Sequence, residues 1–260
     1  MRLQKVEWIL TPNIIQKVKD NDLDDIDLSK LKGIGEKTFA IIKDKIVTNF
    51  ALMDLVIEFK NVLSMSIIKK IYDKYSSIDK LKEKLKTEIL HLEIGSGKGD
   101  YWKQMSEMYP ERGWIGIEKN ASIAALALKK VEDDFKENRL FINLDAKDLD
   151  KWFEEKELNV IHLNFSDPWP KKRNMKRRLS HHSFLNVYKK LLTDDGRIIM
   201  KTDNTKLFEY SIIEFQNSGF ILEEVYLDFR KEEHPEDAIT EYESKFMKKN
   251  QPIYRGIWKK

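Results

Sequence analysis

The residues 164–179 read Asn-Phe-Ser-Asp-Pro-Trp-Pro-Lys-Lys-Arg-Asn-Met-Lys-Arg-Arg-Leu, an acid on a proline-stiffened turn that runs directly into a cationic stretch. Six of the eight residues 171–178 are Lys or Arg. Asp167 in such a place suits a carboxylate held over a reacting base, with a basic rim gripping nucleic-acid phosphates. The preceding apolar run, 159–165, has the pattern of a buried strand. Asp167 therefore falls just beyond a strand's carboxyl end, where open α/β sheets place their active sites.

A second constellation lies upstream. The run 93–99 (EIGSGKG) follows one apolar strand pattern and precedes a helical one. Its spacing is neither the dinucleotide fingerprint nor a P-loop, because Gly-Lys-Ser/Thr is missing from its end. The form E-x-G-x-G-x-G with Gly95, Gly97 and Gly99 suits S-adenosylmethionine, since glycines let the backbone approach the methionine moiety and no pyrophosphate has to be held. A tight strand-to-helix turn is the plainer alternative. Glu118 ends the next strand pattern and can accept both ribose hydroxyls in a bidentate hydrogen bond. Asp145, followed by Ala146, comes after the third strand and can accept from an adenine amino group or simply cap a helix. Three acids at successive strand ends, Glu93, Glu118 and Asp145, favour the joint cofactor reading.

The elements that must position these residues follow from hydrophobic periodicity. Strands are expected at 89–94, 114–118, 139–143, 159–165, 196–201, 220–227 and 252–258, with helices at 100–109, 120–132, 148–155, 180–192, 204–217 and 240–249. This alternation predicts a doubly wound α/β domain at 87–260, and its seven strands in this order resemble the mostly parallel sheet of a class I Rossmann-like methyltransferase. Residues 1–86 lack strand alternation and show helical spacing, as at Leu52, Leu55, Val56 and Phe59. They are predicted to form an all-α module. Within it, 31–42 (LKGIGEKTFAII) places Gly33-Ile34-Gly35 between two helical segments, resembling a helix-hairpin-helix whose amides can face a phosphate. The segment 62–72 reads as a degenerate second copy, and the pair is similar to the tandem hairpins of some RecD-type helicases. A plain helical bundle is the alternative.

Composition narrows the classes. The chain has 260 residues, 41% of them apolar, enough for a substantial core. A net charge of +3 with 35% charged residues means that polyanion binding must come from local patches. No apolar run is long enough to span a bilayer, and no signal peptide is evident, so no membrane partner and a cytoplasmic location are expected. The absence of cysteine excludes disulfides, Cys-ligated zinc and thiol nucleophiles. Five scattered His give no basis for a metal site.

Residues 88–260 resemble the TrmB family of bacterial tRNA (guanine-46-N7)-methyltransferases. The resemblance is carried by 93–99, 115–118 (IGIE), 165–171 (FSDPWPK), 176–179 (KRRL), Phe184-Leu185, 201–204 (KTDN), Leu207-Phe208, 240–243 (TEYE), Phe246 and 252–254. It implies S-adenosylmethionine as cofactor, contacted by or lying beside Glu93, Glu118, Asp145 and Asp167. It further implies a substrate pocket lined by Lys171, Asp203, Thr240, Glu241, Tyr242 and Glu243. The tRNA contact implied is the stretch Arg173, Asn174, Met175, Lys176, Arg177 and Arg178, in a monomer or homodimer. The chain departs from the pattern at Asn174, where relatives usually carry His, and in lacking a recognisable basic N-terminal arm. Two rival readings stay open: a methyltransferase with another RNA or DNA target chosen by residues 1–86, and a non-catalytic RNA-binding protein on the same scaffold.

Overall fold

The fold is described by a computed structural model for residue 85, residues 87–131, residue 134 and residues 136–260. The expected helical module and its hairpins lie outside these residues. Leu85–Lys260 form one compact unit.

Seven strands build a single sheet in the order β3-β2-β1-β4-β5-β7-β6. They are β1 (Leu90–Ile94), β2 (Gly113–Ile117), β3 (Arg139–Ile142), β4 (Leu158–Asn164), β5 (Leu192–Thr202), β6 (Ile221–Tyr226) and β7 (Tyr254–Lys259). β3, β2, β1, β4 and β5 run parallel; β7 inserts antiparallel between β5 and β6. The chain winds outward from β1 to β3 and then returns to β4, which puts the topological switch point between the carboxyl ends of β1 and β4. Ligands of open α/β sheets bind in that crevice.

The central strands read as continuous apolar runs because both faces are covered. Leu92, Ile94, Ile115, Ile117, Ile161, Leu163, Ile198 and Met200 are all buried in one cluster. Among the described residues the α-helices are α1 (Asp100–Met108), α2 (Ala121–Lys129), α3 (His182–Leu191), α4 (Thr205–Asn217) and α5 (Glu241–Met247). Their starts are set by side-chain caps: Asn120 accepts from the Ser122 and Ile123 amides, Asn204 from Leu207 and Thr240 from Glu243. Such caps satisfy amides that a helix leaves unpaired and fix where strand-to-helix loops end.

Two expectations need correction. The helix expected at 148–155 is a short 3-10 segment, Ala146–Lys151, capped by Asp145. Leu149, Trp152 and Phe153 offer apolar spacing for one turn only, and both the Trp152 and Phe153 amides return to Leu149 O. β5 begins at Leu192, not at 196, because Leu192 already pairs with Leu158 of β4, and a register shift separates that pair from the regular ladder that resumes at Val160 and Arg197. Among the described residues no helix is long and apolar enough to cross a membrane, and no cluster of His, Asp and Glu could hold a metal ion.

Candidate active site

β1 runs out into the glycine loop. Gly95, Gly97 and Gly99 have φ of 76°, 55° and 72°, a region that L side chains adopt only under strain. The loop is tied down from below, with the Gly95 and Ser96 amides both 2.9 Å from Ile117 O at the end of β2. Above it the space is open, since a Cβ at Gly95 or Gly97 would meet nothing within 4 Å. Gly99 is different: a Cβ there would lie 2.9 Å from the Ala127 Cβ, so this glycine lets α1 approach α2.

Glu118 sits beside the loop. Its Oε2 accepts from the Gly97 amide at 3.2 Å and its Oε1 from the Asn120 amide at 2.8 Å. A carboxylate offers about four lone-pair sites, so half of its accepting capacity remains. Backbone bonds between Glu118 and Ile142, and between Leu144 and Glu118, carry the end of β3 alongside. Asp145 follows, exposed, with Oδ1 accepting from the Lys147 amide at 3.1 Å. Ala146 is buried beneath it.

Glu93 lies under this rim, almost fully enclosed. Asn164, the last residue of β4, donates Nδ2 to Glu93 Oε1 at 2.9 Å across the switch point. The other carboxylate oxygen is buried with no hydrogen-bond partner. Burial raises the Glu93 pKa, outweighing the Asn164 hydrogen bond and the charge of Lys201.

β4 continues into the Asp167 turn. Phe165 and Trp169, which bracket Ser166-Asp167-Pro168, have positive φ of 51° and 39°, uncommon for bulky side chains. Asp167 itself is exposed. Tyr242 faces the turn from α5, its ring 5.1 Å from that of Phe165 and 4.9 Å from that of Phe246. Partial burial, and then the charges of Asp203 and Asp167, push the Tyr242 hydroxyl above its ordinary value. Beyond the turn, Lys172–Arg177 form a 3-10 helix. Lys171, Lys172, Arg173, Lys176 and Arg177 are exposed, Asn174 and Met175 half-buried, and Arg178 buried. Arg177 stacks over the Trp169 ring at 4.9 Å.

Behind the rim is a closed polar network that the sequence reading missed. Lys201 Nζ is 2.6 Å from Asp237 Oδ2 and 3.2 Å from Glu243 Oε2, and Arg230 closes the square with Nη2 2.5 Å from Asp237 Oδ2 and Nε 2.7 Å from Glu243 Oε1. Burial alone would raise the Asp237 carboxyl; the charges of Lys201 and Arg230 overcome it and hold the group below its usual value. Glu243, expected at the substrate pocket, is wholly enclosed with both oxygens taken. Thr240, expected beside it, spends its hydroxyl on capping α5. The available signal was Lys201 itself: a lysine at the end of an apolar strand must find buried partners, and the acids near α5 can supply them.

Residues 87–256 match the family model Methyltransf_4, described as “Putative methyltransferase”. A tRNA (guanine-N(7)-)-methyltransferase of Streptococcus mutans is 45% identical over 166 residues, 64% of this chain and 79% of the relative. The protein of that name from Limosilactobacillus reuteri is 46% identical over 173 residues, 66% of this chain and 81% of the relative.

The chain belongs to the tRNA (guanine-N(7)-)-methyltransferase family.

A solved structure described as an antibiotic-related methyltransferase superposes on this methyltransferase with a TM-score of 0.55. It covers 71% of this chain and 94% of its own at 16% identity, a likeness of fold. The antibiotic-resistance methyltransferase Kmr gives a TM-score of 0.50, covering 70% of this chain and 92% of its own at 13% identity. In this methyltransferase, Glu93, the glycine loop, Glu118, Asp145, Asp167, Asp203 and Tyr242 come from six segments far apart in sequence. The folded sheet collects them along one edge.

Proposed function

We propose that this methyltransferase transfers a methyl group from S-adenosylmethionine to N7 of a guanine in tRNA, at family position 46 in the variable loop. The observation that carries the reading is the adjacency of an open, glycine-lined rim to an acidic turn that leads without a break into exposed cations.

The residues present fit the cofactor. Open space over Gly95 and Gly97 can take a ligand against the backbone, and Glu118 retains accepting capacity at the position for ribose hydroxyls. Asp145 and Ala146 flank the place for the adenine, and the partnerless oxygen of Glu93 is a buried acceptor below the rim. When bound, S-adenosylmethionine supplies an electrophilic methyl on a positively charged sulfur.

The protein's own task is then mainly positioning. Guanine N7 carries an in-plane lone pair and no proton, so no strong general base is needed, only alignment of the base with the methyl. Methylation leaves positive charge on the purine. Asp167, exposed at the turn, stabilises that developing charge, and Asp203 reinforces it from the end of β5. Tyr242 offers a half-exposed ring on which the base can stack, with Glu241 beside it. Lys171, Arg173, Lys176 and Arg177 hold phosphates around the target, while Asn174 and Met175 shape the segment between them. Thr240 and Glu243 act from behind by fixing the start of α5.

The decisive experiment is incubation of the full-length protein with methyl-labelled S-adenosylmethionine and bulk tRNA, followed by nucleoside analysis. Label in N7-methylguanosine is expected. Label in another nucleoside, or none with intact cofactor binding, would replace this reading with one of its rivals.

A further inference from the structure

Arg178 differs from the other cations of the run 171–178. It is buried, and its backbone is fixed on both sides: its amide donates to Met175 O, and its carbonyl accepts from the His181 amide before α3. The guanidinium points into the protein, with Nε 2.9 Å from Pro168 O and Nη2 3.3 Å from Trp169 O. Its plane lies over the Tyr210 ring at 4.3 Å. Two donors on one rigid fork therefore meet two successive carbonyls of the Asp167 turn, and an aromatic ring from α4 backs the fork.

The turn needs holding. Phe165 and Trp169 stand at positive φ on either side of Asp167, and bulky residues keep such conformations only when their surroundings impose them. On the Phe165 side the restraint is a backbone bond, from the Phe165 amide to Lys201 O at 2.8 Å. On the Trp169 side it is Arg178. We infer that Arg178 is a positioning residue, a clamp that holds the Asp167 turn in its strained form, and not one of the phosphate contacts among which its sequence neighbours place it. The inference rests on the reading of Asp167 given above.

Arg178→Lys tests it, because lysine keeps the charge and loses the fork that reaches both carbonyls. In the full-length protein with saturating tRNA and cofactor, kcat should fall roughly ten- to a hundredfold, the scale of a small misplacement of a reacting group. The slope of log affinity for tRNA against log salt should not change. In an Asp167→Asn background the same substitution should cost almost nothing further, since the clamp acts through that acid. A slope flatter by about one unit with kcat retained would make Arg178 a phosphate contact and overturn the proposal. A kcat loss that adds fully to that of Asp167→Asn would overturn it too, as would a lowered melting temperature with unchanged kcat. Should Arg178→Lys not fold, Tyr210→Leu carries the same test by removing only the ring behind the fork: a smaller kcat loss that vanishes beside Asp167→Asn supports the clamp, and an unchanged kcat refutes it. If the unaltered protein forms no N7-methylguanosine, the reading of the function falls first and the clamp with it. If the product forms and both variants are innocent, only the clamp falls.

Discussion

Lys201 and Asp237, 36 positions apart, meet at 2.6 Å with both side chains enclosed. With Arg230 and Glu243 they form a closed set of two cations and two carboxylates that joins the end of β5 to the start of α5. Removing one member leaves an uncompensated buried charge, which costs far more than an exposed pair. Lys201→Met is accordingly expected to destabilise the protein by about 3–5 kcal/mol in denaturant unfolding. A loss under about 1 kcal/mol, the value of a surface pair, would show that the square is not what holds α5.

Acid should weaken the fold through a different group. His91 Nδ1 lies 3.0 Å from His162 Nε2, and His162 continues through Tyr101 to Asp237. Burial, with the charge of Arg112 adding to it, lowers His91 from 6.5 to about 3, and His162 lies well below its ordinary value for the same first reason. Between those pH values the unfolded chain binds protons that the folded chain refuses, so stability rises with pH across that window. Unfolding free energy should fall by up to about 1.4 kcal/mol per pH unit for each His as pH drops below 6.5. His91→Gln should show a shallower fall in the same titration. Equal slopes would remove His91 from the account.

Cofactor affinity is expected to depend on Glu118. Glu118→Ala removes a charged acceptor and should weaken S-adenosylmethionine binding by about 1.5–3 kcal/mol in calorimetry. Gly97→Ala should weaken it also, since the new Cβ enters the open space under strain at φ 55°. Unchanged affinity in both variants would place the cofactor elsewhere.

Turnover should depend on Asp167 more than stability does. The side chain is exposed, so Asp167→Asn is expected to fold normally and to lose about two to three orders of magnitude in kcat. A well-folded variant with near-normal kcat would exclude the electrostatic role.

The exposed cations should govern salt dependence. Neutralising Arg173, Lys176 and Arg177 together is expected to flatten the log-affinity against log-salt slope for tRNA by about two to three units, slightly under one per phosphate. S-adenosylmethionine affinity should stay the same. A slope unmoved by all three changes would mean that the RNA lies on another surface.

Sequence alone determined the strands, their order of appearance and the residues on the rim. Alternation and apolar runs are local signals, and the glycine spacing with Asp167 before Pro168 is local chemistry, so β1 to β7 and the site-bearing loops were legible within a few residues. Distinguishing Arg178 from Arg177 was not possible on that basis, because neighbours of identical type differ only in what the folded chain sets against them. Glu243 read as a pocket acid for the same reason: its partners Lys201 and Arg230 are 42 and 13 positions away. Tertiary structure decided which charges face water and which face one another. Burial and charge pairing across distant segments depend on the closed sheet, and no local pattern encodes them.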